Sequence, residues 1–344
     1  MNCTIKDIAR ELNLSRNTVS KALNGSSGVS EETRKKVQEK AREMNYRQFL
    51  IDSSMSKPMT HQGSILFLTR ASADFSEFWV KVMTGIESVL SENGYQLVLG
   101  VMNSEDLEQL RFPTILTTSN IKGIIMVEIC ETRVCNALLN YNLPTVTVDM
   151  PSNYDDLIGK LDIITMENKI NVSLIVNKLI KKGYSRFSFA GDIYSENVGR
   201  GFKERYDSLL NTLENSGLSL DTNCSFCNET EKDFMNINYL ASKIKNFTSL
   251  PQVYICGNDW TAIHLMHTIQ YLGYKVPDDV SIVGFDNIPD SVKCTPSLTT
   301  IDTPKEHLGT TAANCIIQRI QNPQMPYVYS QYSTQLILRN STKL

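Results

Sequence analysis

The chain has 344 residues, 21% of them charged, a formal net charge of −3 and eight scattered cysteines. No apolar run approaches the ~20 residues needed to span a bilayer and no signal peptide precedes the first motif, so no helical membrane span is expected and the cytoplasm is the expected location. Charge is uneven: residues 1–47 are about +4 and the remainder about −7, which suits a nucleic-acid module joined to something that is not one.

Three short helices are expected at the start. Ile5, Ile8, Ala9 and Leu12 form an apolar stripe, and Thr4 with Asp7 three residues on can cap that helix reciprocally. Asn13-Leu14 turns the chain. Ser15 then caps a second helix to Asn24, with Val19, Ala22 and Leu23 on its buried side. Its other side shows Arg16, Asn17, Thr18, Ser20 and Lys21, which suit base edges and phosphates. Ser30 caps a third helix to about Asn45, with Glu31 and Glu32 in its first turn where the helix dipole favours negative charge. Two short helices in tight sequence, the second polar at its start, are a device that enters a major groove.

The run Thr4 to Ala9, then Ser15 to Asn24, then Val29 to Thr33 resembles the head of the lactose/galactose repressor (LacI/GalR) family. The resemblance implies that Arg16, Asn17 and Lys21 face bases, and that Ser15, Thr18, Ser20 and Asn24 hold the DNA backbone or support the head. With Thr4 these form the candidate DNA-binding set. Family members usually follow the tyrosine with Pro-Asn and a short hinge helix bearing a leucine wedge. Here Tyr46 is followed by Arg47-Gln48, the Pro-Asn pair is absent, and Met55 stands where the leucine would be. Residues 48–62 are therefore either a hinge that folds on the minor groove, with Met55 as its wedge, or a plain flexible tether.

Beyond the linker, apolar runs alternate with amphipathic helices. Strands are expected near 64–69, 96–100, 123–127, 145–149, 162–165, 187–191, 253–257 and 280–285, with helices such as Trp79 to Asn93 and Lys169 to Lys182 between them. This is the signature of parallel sheets covered on both faces. About 280 residues is too many for one such core, so two lobes are expected. The resemblance continues through Gly85-Ile86-Glu87, Gly94-Tyr95, the run Gly273 to Asn287 and Pro296 to Ile301. It implies an α/β architecture: a three-helix helix-turn-helix head (1–47), a linker (48–62) and a two-lobed, periplasmic-binding-protein-like (type I) body (63–344). The N-lobe would comprise 63–162 plus 292–325, and the C-lobe 163–291 plus 326–344.

In open parallel sheets ligands sit beyond the carboxyl ends of the strands. Asp149, Asn258, Asp259 and Asp286 follow strands, and their carboxylates and amides suit vicinal hydroxyls. Arg205 matches the arginine that grips effector in relatives of the resembled family, although Ser208 stands where a glycine is usual. The only two tryptophans, Trp79 and Trp260, fall in segments expected to face the cleft, with Phe75, Glu77 and Phe78 beside the first. Phe234 lies near another family effector position. Each aromatic either stacks on a ligand or packs the core.

Other chemistry is thin. Cys224-Ser225-Phe226-Cys227 has C-x-x-C spacing without a second pair, the cysteines read as reduced thiols, and His264 and His267 lack an acidic metal partner. No catalytic motif, cofactor or metal is expected. The chain ends soon after Gln335 to Leu338 without leucine heptads, so a homodimer reading a pseudo-palindromic operator is expected. The expected function is a repressor whose affinity for double-stranded operator DNA is switched by a small molecule, with a sugar favoured by Glu77, Asp149 and the tryptophans. The rivals are a same-fold regulator using a purine or protein co-repressor, and a solute receptor with a vestigial head.

Overall fold

In a computed structural model describing residues 3–24, 26, 28–44, 46, 62–70, 77–118, 120–195 and 199–344, the chain divides into two units, Met1–His61 and Gln62–Leu344. The first contains α1 (Ile5–Glu11), α2 (Arg16–Leu23) and α3 (Glu31–Glu43) around Ile8, Val19, Ala22, Val37 and Ala41. Asp7 accepts from the Thr4 amide at 3.0 Å and from its hydroxyl at 2.6 Å. Ser15 Oγ accepts the Thr18 amide at 3.0 Å, and Ser30 Oγ that of Thr33 at 3.3 Å. Each cap thus satisfies a donor that the first helical turn leaves free.

The second unit begins with β1 (Gly63–Arg70), α4 (Glu77–Glu92), β2 (Tyr95–Met102), α5 (Ser104–Gln109), β3 (Ile121–Val127), α6 (Thr132–Leu139), β4 (Thr145–Val148) and β5 (Asp162–Met166). It continues with α7 (Ile170–Lys181), β6 (Phe187–Ala190), α8 (Arg200–Glu214), α9 (Glu231–Met235), α10 (Ile237–Lys245), β7 (Val253–Cys256) and α11 (Asp259–Tyr271). Last come β8 (Ser281–Val283), β9 (Thr300–Asp302), α12 (Lys305–Gln321), β10 (Tyr329–Tyr332) and β11 (Gln335–Ile337).

One parallel sheet runs β10-β5-β4-β3-β1-β2 and a second runs β6-β7-β8, with β9 and β11 paired antiparallel. Along β1, Ile65 and Phe67 join one core cluster while Leu66 and Leu68 join another, so the apolar run is continuous because helices cover both faces. Fully burying each such side chain stabilises the fold by roughly 1.5–3 kcal/mol.

The expected lobe boundaries need correction. β5 pairs with β4, and β10 with β5, so both belong to the N-lobe sheet rather than the C-lobe. Leu298 packs in the C-lobe core, and the chain returns to the N-lobe only with α12. The crossings therefore fall near 167, 303 and 333. The physical cause is a buried ion pair that ties β5 to α12. Arg319 Nη2 and Nε reach Asp162 Oδ1 and Oδ2 at 2.7 and 3.0 Å, and Asp162 Oδ1 also accepts the Val328 amide at 2.7 Å.

Candidate functional site

In the head, Arg16, Asn17, Lys21 and Asn24 are exposed, and Thr18 and Ser20 are half-buried. α2 thus offers a polar, cationic outer side over the buried Val19 and Ala22. The hydroxyls of Ser15 and Thr18 lie 2.8 Å apart, so both support the cap and stay at the surface end of the helix. Arg34, which the sequence reading passed over, donates from α3 to Ser26 O at 2.9 Å and to Ala22 O at 3.4 Å. It satisfies carbonyls that the end of α2 leaves open and fixes the angle at which α2 is presented. Met55 lies outside the described residues, as does Phe75.

At the carboxyl ends of the body strands, three carboxylates occupy left-handed backbone: Glu128 after β3 (φ 55°), Asp149 after β4 (φ 76°) and Asp286 after β8 (φ 106°). Side-chain-bearing residues hold that conformation only where surrounding structure imposes it, and such strain gathers at functional sites. Beside Asp149 and Asp286 lies Arg205 on α8, only 4% exposed. Its Nε donates to Asn168 Oδ1 at 3.0 Å, its Nη1 donates to Gly257 O, and its guanidinium carbon sits 3.5 Å from the Phe285 ring centroid. Asn168 is itself fixed by Glu204, which accepts its amide at 3.0 Å and meets Lys169 Nζ at 3.1 Å.

Burial dominates the electrostatics. It lowers the Arg205 pKa against the opposing pull of Asp286 and Asp149. It raises Asp149, and it raises Asp286 to about 6, while Arg205 draws both back. Glu128 is pushed up to about 7 by burial, partly offset by hydrogen bonds from the Trp79 indole and the Thr69 hydroxyl. From across the cleft, Gly199 backs onto Asp149: a Cβ there would stand 3.0 Å from Asp149 Oδ2. The amide of Arg200 donates to Met150 O at 3.0 Å. A cavity of about 300 Å³ opens at this rim, between Ser152 and Asn153 of one lobe and Asp192, Tyr194, Arg200 and Lys203 of the other.

The structure thus brings Asp149, Arg205 and Asp286 together. It does not bring every expected residue to them. Asp259 is fully buried: its oxygens accept the Thr300 hydroxyl and the Ile288 amide, and burial raises it to about 8. It fastens the segment after β8 and presents nothing to a ligand. Phe234 is 3% exposed and packs edge-on against Phe226 in the C-lobe core. Phe78 and Trp79 are each 7% exposed, edge to face. Asn258 spends its side-chain oxygen capping α11, where it accepts the Thr261 amide at 2.8 Å, and the Trp260 ring lies 4.0 Å from that of His264. Glu77 is exposed. Glu128, Asn168 and Glu204 were missed; Glu128 directly follows β3 and Asn168 stands two residues past the end of β5, a signal hidden for Asn168 by the misplaced lobe boundary.

Among the described residues no group of three or more His, Cys, Asp and Glu side chains is placed to hold a metal ion, and no helix is long and apolar enough to cross a membrane. The eight cysteines are free thiols.

A helix-turn-helix head joined to a two-lobed body with a charged interlobe cleft defines a class of ligand-responsive DNA-binding proteins. Residues 4–48 match the model for bacterial regulatory proteins of the lacI family, and residues 176–342 match the periplasmic binding protein-like domain. Among curated relatives, the HTH-type transcriptional repressor PurR of Glaesserella parasuis serovar 5 (strain SH0165) is 28% identical, covering 99% of this chain and 98% of the relative. The ribose operon repressor of Haemophilus influenzae is 27% identical, covering 98% of each. Two solved structures share the fold at a TM-score of 0.70 and 20% identity: the transcriptional regulator CelR-cellobiose complex, covering 99% of this chain and 100% of that one, and the lac repressor dimer bound to operator and the anti-inducer ONPF, covering 100% of each. The chain belongs to the LacI family and is a DNA-binding transcriptional repressor, not an enzyme.

Proposed function

We propose that this repressor is cytoplasmic and homodimeric, reads a pseudo-palindromic operator through α2, and is switched by a neutral sugar held between its lobes. The observation that carries the sugar is the pair of strained carboxylates, Asp149 and Asp286, beside the buried Arg205. Fixed acceptors and one fixed fork of donors suit the alternating donors and acceptors of vicinal hydroxyls. A purine would call for an open aromatic face; Phe78, Trp79 and Phe234 are nearly buried, and the half-buried Trp260 has its ring 4.0 Å from that of His264. In the head, Arg16, Asn17 and Lys21 take the base edges, while Thr4, Ser15, Thr18, Ser20 and Asn24 take phosphates or hold α2. A sugar that prefers one of two lobe arrangements by about 1–3 kcal/mol changes operator affinity about 5–150-fold.

The test is a thermal-shift and calorimetric screen of neutral pentoses, hexoses and disaccharides against purine bases, followed by operator binding with each hit. A saturable sugar whose affinity falls at least about tenfold in Asp286→Asn and Arg205→Met supports the reading. Binding of a purine alone, or a sugar hit indifferent to both substitutions, removes it.

A further inference from the structure

Lys305 opens α12 on the N-lobe side, yet its side chain is only 11% exposed. A buried ammonium is costly unless oxygens surround it. Here it donates to Thr303 O at 3.1 Å and Thr303 Oγ1 at 3.2 Å, with Asp302 Oδ1 at 3.4 Å, all within its own crossover. It also donates to the main-chain oxygen of Asp286, nineteen residues earlier in the segment that leaves β8. The local contacts alone would satisfy the ammonium at the entry to α12. The reach to Asp286 needs another reason.

That reason is the backbone of Asp286. At φ 106° it requires support from outside itself. Its amide donates to Ile301 O at 2.8 Å, and its carbonyl receives Lys305 and, at 3.4 Å, Thr303 Oγ1. The next residue, Asn287, is held by Thr300 at 3.3 Å, Asp302 at 3.0 Å and Arg339 at 2.6 Å. Among these holders, within the described residues, Lys305 is the one carried by a helix of the N-lobe.

We propose that Lys305 is a positioning residue for the effector cleft: by gripping the Asp286 carbonyl from the opposite lobe, it holds the left-handed turn that presents the Asp286 carboxylate beside Arg205. Lobe rotation and the presentation of that carboxylate are then one event. The inference rests on the reading of Asp286 as an effector contact. The charged groups around Asp286 are Arg205 and Lys305, which favour its ionisation, and Asp149, Asp302 and Asp259, which oppose it.

The test needs no ligand, so a sugar screen that fails leaves it readable, and its own failure leaves the sugar reading standing. Site-resolved hydrogen exchange follows the Asp286 amide in the full chain, and carbon-13 NMR of labelled aspartate, assigned with Asp286→Asn, follows its carboxyl. In wild type the carboxyl, raised by burial, should titrate at about 6. In Lys305→Met the amide should exchange at least about tenfold faster and the carboxyl midpoint should rise by about one pH unit, while the β7 amides stay protected. Lys305→Arg should restore both. Should Lys305→Met fail to fold, Lys305→Gln, which keeps a donor and loses the charge, carries the same comparison. Unchanged exchange at Asp286, or equal acceleration throughout β7, overturns the proposal.

Discussion

Gly85 on α4 and Gly309 on α12 each face the other helix's backbone: a Cβ on Gly85 would lie 2.1 Å from Glu306 O, and one on Gly309 2.0 Å from Val82 O. Only hydrogen side chains let these two helices touch so closely. Gly309→Ala should therefore destabilise the body by about 1–3 kcal/mol through overpacking, despite a helix-propensity gain of about 1 kcal/mol. Urea unfolding checks this, and an unchanged or raised midpoint would sink the close-approach argument.

The head separates support from reading. Ser15→Ala removes the cap of α2 and should cost about 1 kcal/mol of head stability, seen as a lower melting temperature. Arg16→Ala takes away an exposed side chain, so melting should hold while affinity for the selected operator falls by about 1–3 kcal/mol and discrimination at one base pair relaxes. Fluorescence anisotropy on matched and substituted operators distinguishes them. Equal losses on both DNAs would assign Arg16 to phosphate.

Much of this was legible because it is local. Caps at Ser15 and Ser30, the stripe through Ile8 and the apolar strand runs depend on neighbours within a few residues, and all recur in the structure. The lobe crossings depend on which sheet a strand joins, and nothing inside Asp162–Met166 announces a partner such as Arg319, 157 residues away. Asp259 misled for a related reason. A carboxylate after a strand serves equally to meet a ligand or to tie down a loop, and only the Thr300 and Ile288 contacts decide. Phe234 is the same ambiguity in an aromatic.

The Arg319–Asp162 pair is buried on both sides, 5% and 0% exposed. Breaking it strands a carboxylate in the core. Arg319→Leu should cost about 3–5 kcal/mol, and adding Asp162→Asn, which removes the charge and keeps an acceptor for the Val328 amide, should recover part of that loss. Urea midpoints of the two variants check the order. A double variant less stable than Arg319→Leu alone would contradict it.

The body should lose stability as pH rises from acid to neutral, the reverse of the usual trend for carboxylates. Glu128, Asp286 and Asp259 are raised in the folded chain from 4.5 to about 7, from 3.8 to about 6 and from 3.8 to about 8. In each window the folded state binds more protons than the unfolded one, so the contribution is complete below the ordinary pKa and is lost as pH climbs through the raised one. Each group adds at most about 1.4 kcal/mol per pH unit of downward slope. Glu128→Gln mimics the protonated side chain and keeps an acceptor for the Thr69 hydroxyl and the Trp79 indole. Unfolding free energies at pH 5, 6, 7 and 8 should therefore fall less steeply between 5 and 7 in that variant than in wild type. From 7 to 8 both proteins should still descend, because Asp259 ionises there in each. Parallel curves from 5 to 7 would mean that Glu128 is already ionised in the folded cleft.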